Sequence, residues 1–434
     1  MRPVSRSPPP AVRAPGMSAE LAFLCGEGHR AAIERRGDLP FIAAGLARSG
    51  MGTESRSVAP DTRNLRAKVS RIADRTVCLT LLAGAGSRWT KSLRDAKLRA
   101  KSSVQIALTG TDAVRTAESG VKPSRNKISE LDFPELDFPE DAPRGLYPVR
   151  NRLDLPGKRV PVAAYSLDAV RGLGRHLIVV RGWEREIRAD ILDRLGIAAD
   201  RVDFFTQESD FRGKPAGHGD AAWQCRELWR GSDYVIANFG GDANSPLTVL
   251  AGLIALDALV ESGEQVDFLM PVALAESPAY PVRLDGRGLP YAFGHDKLGG
   301  AQASGPSGRD AGPASGESAN TGLPPGMAYT NVGLRLYRAE ALYEAAAELR
   351  EKFWTAESGY AIPGNDPEGR EFALDNVDAL LAERGRARIL AIARPEELTP
   401  AKSWDDIPAF EKAVAKVRGE WDSWNLKARF RTAL

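Results

Sequence analysis

Cysteine and histidine are scarce in this sequence, with three Cys and four His among 434 residues. Cys25, Cys78 and Cys225 lie far apart and show no Cys-x-x-Cys spacing, which argues against a disulfide framework and against a zinc site. Cys78 and Cys225 sit in apolar patterns and read as packed thiols, so a reducing, cytoplasmic setting is expected. No apolar run approaches the roughly eighteen residues of a membrane-spanning helix. The basic, proline-rich start lacks the apolar core and cleavage site of a secretory signal. Neither sign of charge prevails: 59 Lys and Arg face 57 Asp and Glu, a net charge of +2. That balance argues against bulk binding to nucleic acid or to a membrane surface.

What is present is enough apolar sequence, 43% of residues, for a sizeable core. The length suits one large α/β domain with additions, or two domains. Residues 1–70 read as a poorly structured or helical extension, with Pro8-Pro9-Pro10 near the start. Residues 71–425 read as the main domain, and 426–434 as a tail. Two stretches interrupt it. One, about 92–141, is polar and ends in the tandem repeat Glu130-Leu131-Asp132-Phe133-Pro134 and Glu135-Leu136-Asp137-Phe138-Pro139, a flap, a docking loop or plain disorder. The other, about 299–326, is rich in Gly, Ser, Ala and Pro and reads as a flexible loop.

Short apolar runs alternate with helical periodicity. Val77–Ala83, His176–Val180, Val202–Thr206, Tyr234–Asn238 and Phe268–Ala275 read as buried strands, with helices over Val160–Gly172, Arg185–Leu195 and from Pro246 to about Ser262. Gly286-Arg287-Gly288 between two short strand patterns signals a hairpin. The alternation predicts a single, mostly parallel, Rossmann-like sheet with helices on both faces. Ligands of such sheets bind beyond the carboxyl ends of the strands.

Three stretches at those ends carry chemistry. After the first strand comes Gly84-Ala85-Gly86-Ser87-Arg88, where glycines let the backbone approach a ligand and N–H groups with Arg88 suit an anion. It lacks the third glycine of a dinucleotide fingerprint and the Gly-Lys-Ser/Thr of a P-loop. The competing account is an ordinary turn with a solvated arginine. Gly217-His218-Gly219-Asp220 heads a helix, with glycines that admit a flat base and polar edges from His218 and Asp220. Asp220 as a simple N-cap is the bland alternative. Asp242, behind Gly240 and Gly241 at a strand end, suits Mg²⁺, with an ordinary turn as the rival.

The glycine loop resembles the Leu-x-x-Gly-x-Gly-Thr/Ser-Arg signature of the sugar-phosphate nucleotidyltransferases, and four further motifs follow in the family's order. The resemblance is nearest to the UDP-sugar pyrophosphorylases, within a GT-A-like nucleotidyltransferase fold. It implies Mg²⁺-dependent transfer of a nucleotidyl group from a nucleoside triphosphate, UTP favoured, to a sugar 1-phosphate, releasing pyrophosphate. Leu82, Ala83, Gly84, Gly86 and Ser87 would hold the nucleotide, with Gln207 at the base beside Gly217, His218 and Asp220. Arg144, in Pro143-Arg144-Gly145, stands where the family has a phosphate-neutralising lysine, and Lys91 is the other candidate for that work. Arg88 and Lys402, the latter in Pro400-Ala401-Lys402, would also face phosphates, Gly241 and Asn331 the sugar, and Asp242 the metal. Two other functions stay open: a non-catalytic nucleotide-sugar binding module, and a GT-A-type glycosyltransferase, which usually carries Asp-x-Asp where this chain has Asp242-Ala243-Asn244.

Overall fold

A computed structural model describes residues 69–82, 89–99, 138–139, 142–210, 212–278, 281–284, 289–293, 326–363 and 371–423. Among them runs an eight-stranded sheet: β1 (Thr76–Leu81), β2 (Arg175–Val180), β3 (Val202–Thr206), β4 (Tyr234–Phe239), β5 (Phe268–Glu276), β6 (Met327–Asn331), β7 (Arg335–Arg338) and β8 (Ala387–Leu390). Its order is β3-β2-β1-β4-β7-β5; β8 lies on the outer edge of β5, and β6 pairs with β5 ahead of β7, in the same direction. The pairs β1–β2, β1–β4, β2–β3 and β5–β8 are parallel. The strands β7 and β6 run antiparallel to their neighbours, so the sheet is mixed, with a parallel core.

The residue alternation along the strands decides which side each side chain takes. Cys78, Ile178, Ile236 and Leu336 point to one face, where α1 (Ala163–Val170) and α3 (Pro246–Glu261) cover them with Val170, Leu253 and Leu256. Val77, Leu79, Val179, Val235 and Tyr337 point to the other, against α2 (His218–Gln224), α4 (Ala339–Phe353) and α5 (Leu374–Glu383). β1 is buried along its whole length, as a strand covered on both faces must be. Helix α3 is apolar almost all round because the sheet, α1 and the segment around Ile392 enclose it. Ser245 caps its start, accepting from the Leu247 N–H, and Pro246 occupies the first turn.

Some boundaries differ from the sequence reading. Val160 begins no helix: Arg159–Pro161 pairs with Pro148–Arg150, and the helix starts at Ala163. The prolines 148 and 161 favour that extended start. Residues 69–74 are helical and bury Val69 and Ile72, and residues 89–99, reaching into the stretch read as an insertion, are helical and bury Leu93 and Ala96. The hairpin holds, as Val282–Leu284 against Pro290–Phe293. Cys78 and Cys225 are buried, and burial pushes both thiols up to about 12. Cys25 lies outside the described residues. Among the described residues, no helix is long and apolar enough to cross a membrane.

The chain leaves β1 toward β2 on one side, and β4 returns on the other. Beside this switch point a crevice opens beyond the carboxyl end of β4, toward β5 and β6, the side on which such sheets bind ligands.

Candidate active site

The floor of that crevice is set by a buried polar chain. Thr80 Oγ1 on β1 donates to Asn238 Oδ1 on β4 (2.7 Å), and Asn238 Nδ2 donates to the Ser166 carbonyl on α1 (3.0 Å). The Ser166 hydroxyl reaches the carbonyls of Phe239 (2.8 Å) and Asp242 (2.9 Å). The turn after β4 is thereby held to both its neighbours, and Asp242 is presented at a fixed height. These contacts belong to fully buried groups, for which a lost partner costs about 1–3 kcal/mol.

Above the floor lies a cleft of about 490 Å³, into which Arg144, His218, Asp242, Asn331 and Lys402 all face. Each came from a different motif, and the fold gathers them. Arg144 opens a short 3₁₀ turn, Arg144–Leu146, and its guanidinium lies over Gly241, where a Cβ would stand 3.1 Å from Nε. Gly241 accepts from the Ala401 N–H (2.8 Å), which brings Lys402 to the same rim. Asp406 secures that rim by accepting from the Lys402 and Ser403 N–H groups. Asn331 Oδ1 accepts from the Gly333 N–H (3.1 Å), closing a tight turn between β6 and β7.

Asp242 is buried, and among the described residues its Oδ2 has no hydrogen-bond partner. Burial pushes its carboxyl up to about 6, while Arg144, Lys402 and Arg335 pull it back toward ionisation. Asp242 lines the cleft while its Oδ2 is shut against Gly333, and a carboxylate in that place is suited to a hard divalent cation, which Mg²⁺ satisfies with few protein ligands and several waters or phosphate oxygens. Among the described residues, no group of three or more His, Cys, Asp or Glu is placed to hold a metal.

His218 Nδ1 accepts from the Leu374 N–H (3.0 Å), which leaves the ring proton on Nε2, 3.5 Å from Asp375 Oδ2. Burial, with Arg335 nearby, holds the imidazole neutral against the pull of Asp375. The ring also packs edge-on to Phe239, with centroids 5.1 Å apart.

Other expected residues lie elsewhere. Ala83, Gly84, Gly86, Ser87 and Arg88 lie outside the described residues; Leu82, just before them, is buried beneath Gly240 and Gly145. Gln207 is buried and donates through Nε2 to the Gly217 carbonyl (3.0 Å). Asp220 points away from the cleft, into a second pocket beside Trp223 and Trp354, and accepts from Tyr360 (2.8 Å) and Gln224 (2.6 Å). It is not the N-cap of α2, a place that Gly217 takes. Lys91 is exposed on the helix 89–99, and the cleft does not include it.

Sequence reasoning missed Arg335, Asp375, Asp378 and Glu397. Buried Arg335 donates through Nε to Asp378 (2.8 Å) and through Nη2 to Asp375 (2.8 Å). Glu397, also buried, accepts from the Ser245 N–H (2.9 Å), the Thr248 hydroxyl (2.8 Å) and the Arg394 N–H (3.1 Å). Burial nonetheless pushes its carboxyl up to about 7. Arg394-Pro395-Glu396-Glu397 carries one local signal, a Glu three residues into a proline-started turn. The Arg335 pairings join segments distant in the chain and leave no local trace.

Four segments of the chain share an aromatic cluster. Tyr147 meets Trp89 (5.4 Å), Phe138 (5.1 Å) and Trp404 (4.8 Å) edge to face, and the Trp404 N–H donates to Ser92 Oγ. The segments carrying Arg144 and Lys402 are thereby tied to the helix that follows the glycine loop. Compared with known proteins, the chain matches no family model and no curated protein.

Proposed function

We propose that the protein is a Mg²⁺-dependent nucleotidyltransferase on a Rossmann-like, GT-A-like fold, joining a nucleoside triphosphate, UTP favoured, to a sugar 1-phosphate with release of pyrophosphate. The observation that carries this reading is the convergence of Arg144, His218, Asp242, Asn331 and Lys402, taken from five separate motifs, on one cleft beside the sheet's switch point. Packing alone gives no reason for that meeting.

In the proposed reaction an oxygen of the sugar phosphate attacks the α-phosphorus in line, and the bond to the bridging oxygen of pyrophosphate breaks. The attacking oxygen is already ionised, so no general base is needed. Arg144 and Lys402 neutralise phosphate charge as it shifts toward the leaving group, and catalysis comes from positioning and electrostatics. Asp242 would hold the metal, which when bound supplies further charge neutralisation on phosphate oxygens. Asn331, fixed by its turn, lies where it can contact the sugar, and neutral His218 offers a donor from Nε2. Cytoplasmic residence, inferred from the reduced thiols, belongs to the same reading.

Exchange of labelled pyrophosphate into nucleoside triphosphates, dependent on a sugar 1-phosphate and Mg²⁺, tests it. Exchange with at least one of a panel of nucleotide–sugar pairs is expected; its absence from all of them would overturn the catalytic reading. One observation favours a non-catalytic nucleotide-sugar sensor instead, namely arginine rather than lysine at position 144. A wild type that binds nucleotide without exchange, and gains exchange as Arg144→Lys, would decide for the sensor.

A further inference from the structure

The wall of the cleft that holds His218 also carries a carboxylate that the proposed chemistry does not use. Asp375 is the second residue of α5, and its Oδ1 is occupied by Arg335 Nη2 at 2.8 Å. The same guanidinium spends its Nε on Asp378 and lies over the Phe239 ring at 5.4 Å. Arg335 and Asp378 are almost wholly buried, whereas the Asp375 side chain is 40% exposed. Asp375 Oδ2 faces His218 Nε2 at 3.5 Å, beyond a good hydrogen bond. A rigid carboxylate therefore presents acceptor capacity to the cleft. Burial opposes its charge, but Arg335 and His218 hold the carboxyl below its ordinary value, so it is ionised at neutral pH.

We propose that Asp375 selects sugar phosphates whose sugar carries no charge of its own, accepting a hydrogen bond from a hydroxyl of the bound sugar and repelling a sugar that carries a carboxylate there. The inference rests on the nucleotidyltransferase reading of the cleft. A polyol offers the donor that Asp375 Oδ2 needs, and charge-assisted bonds of this kind are the stronger ones. A uronic acid offers no donor at its carboxylate and brings like charge to the wall. Arg335 cannot compensate, because Asp375 and Asp378 already engage it from two edges. Arg144 and Lys402 line the same cleft, where the phosphates of either ligand call on them. Leu374 fixes the orientation of the wall, since its N–H is bound to His218 as α5 begins.

The test is calorimetric and needs no turnover. Glucose 1-phosphate and glucuronic acid 1-phosphate are titrated into the full chain with Mg²⁺ and a non-reacting UTP analogue. The wild type should bind the neutral sugar at least about tenfold more tightly, a difference near 1.4 kcal/mol. Asp375→Asn should bring the two within about threefold and leave nucleotide affinity unchanged, with a melting midpoint lowered by the weakened pair with Arg335. Asp375→Glu keeps the charge but moves it, so it should still reject the uronate while binding the neutral sugar less well. Equal binding of both sugars by the wild type, or discrimination that survives Asp375→Asn, would overturn the assignment. A 2′- or 3′-deoxyribonucleotide that binds the wild type as weakly as the UTP analogue binds Asp375→Asn would move the hydroxyl to the ribose, and overturn it too. Should the wild type bind nucleotide but neither sugar phosphate, the wider function fails along with it. Discrimination lost while both sugars bind removes only the role of Asp375.

Discussion

Asp242 and Arg144 sit side by side in the cleft with opposite charges. Among the described residues the buried carboxylate has no partner for Oδ2, and the guanidinium beside it is part of what favours its ionised form. Asp242→Asn removes the charge while keeping the shape, so the fold should persist and Mg²⁺-dependent turnover should vanish. Unchanged turnover at saturating Mg²⁺ would take Asp242 out of the metal site. Arg144→Ala should lower the rate about a hundredfold, near 3 kcal/mol, because one charge-assisted contact to the transition state is lost. Nucleotide affinity should fall much less, and Arg144→Lys should keep substantial activity. An Arg144→Ala enzyme as fast as wild type would show that this residue does not meet the phosphates.

At the scale of elements, the cleft depends on turns that bring strand ends together. Gly333, between β6 and β7, has φ of +78°, and a Cβ there would fall 2.0 Å from Asp242 Oδ2. Gly333→Ala should destabilise the fold by about 1–2 kcal/mol through the strained backbone. It should also displace the Asp242 carboxylate, so activity should fall further than stability alone explains. Urea unfolding set beside the Mg²⁺ dependence of exchange separates the two effects, and a variant with wild-type stability and Mg²⁺ dependence would contradict the geometry. How these turns were legible differs. Gly240-Gly241-Asp242 announces itself because glycine and carboxylate are adjacent at the end of an apolar run. The strands of the parallel core were legible for a similar reason, since burial on both faces leaves continuous apolar runs. Asp375 and Glu397 were not, because their partners Arg335, Ser245 and Thr248 come from other elements. Asp220 misled: its neighbour His218 faces the cleft, but two residues further along a short helix the side chain points to another pocket.

For the whole molecule, the mixed sheet exacts a cost in acid that one strand position should reveal. His176 on β2 is fully buried, with its ring beside the Arg171 backbone. Burial, reinforced by Arg201, lowers its pKa from 6.5 to about 4. Below about 6.5 the unfolded chain takes up a proton that the folded chain refuses. The unfolded state then binds more protons, so stability rises with pH through this window and is lost as pH falls from about 6.5 toward about 4. At about 1.4 kcal/mol per pH unit, the interval between 6.5 and about 4 amounts to about 3 kcal/mol. Asp242 and Glu397 act in the opposite sense, since their raised carboxyls weaken the fold as pH rises through about 6 and about 7. The net profile of the wild type therefore mixes signs. A difference between wild type and His176→Leu cancels the carboxyl contributions, because distant, independent sites add. Leucine keeps an apolar side chain of similar length in the strand. Whatever that substitution does near pH 7.5, the gap should move in the variant's favour by about 2–3 kcal/mol on reaching pH 4.5. Urea melts at pH 7.5, 6.0 and 4.5 measure it. A gap that stays constant over that range would mean that His176 is protonated in the fold, and that β2 does not pack as tightly at this position as its burial indicates.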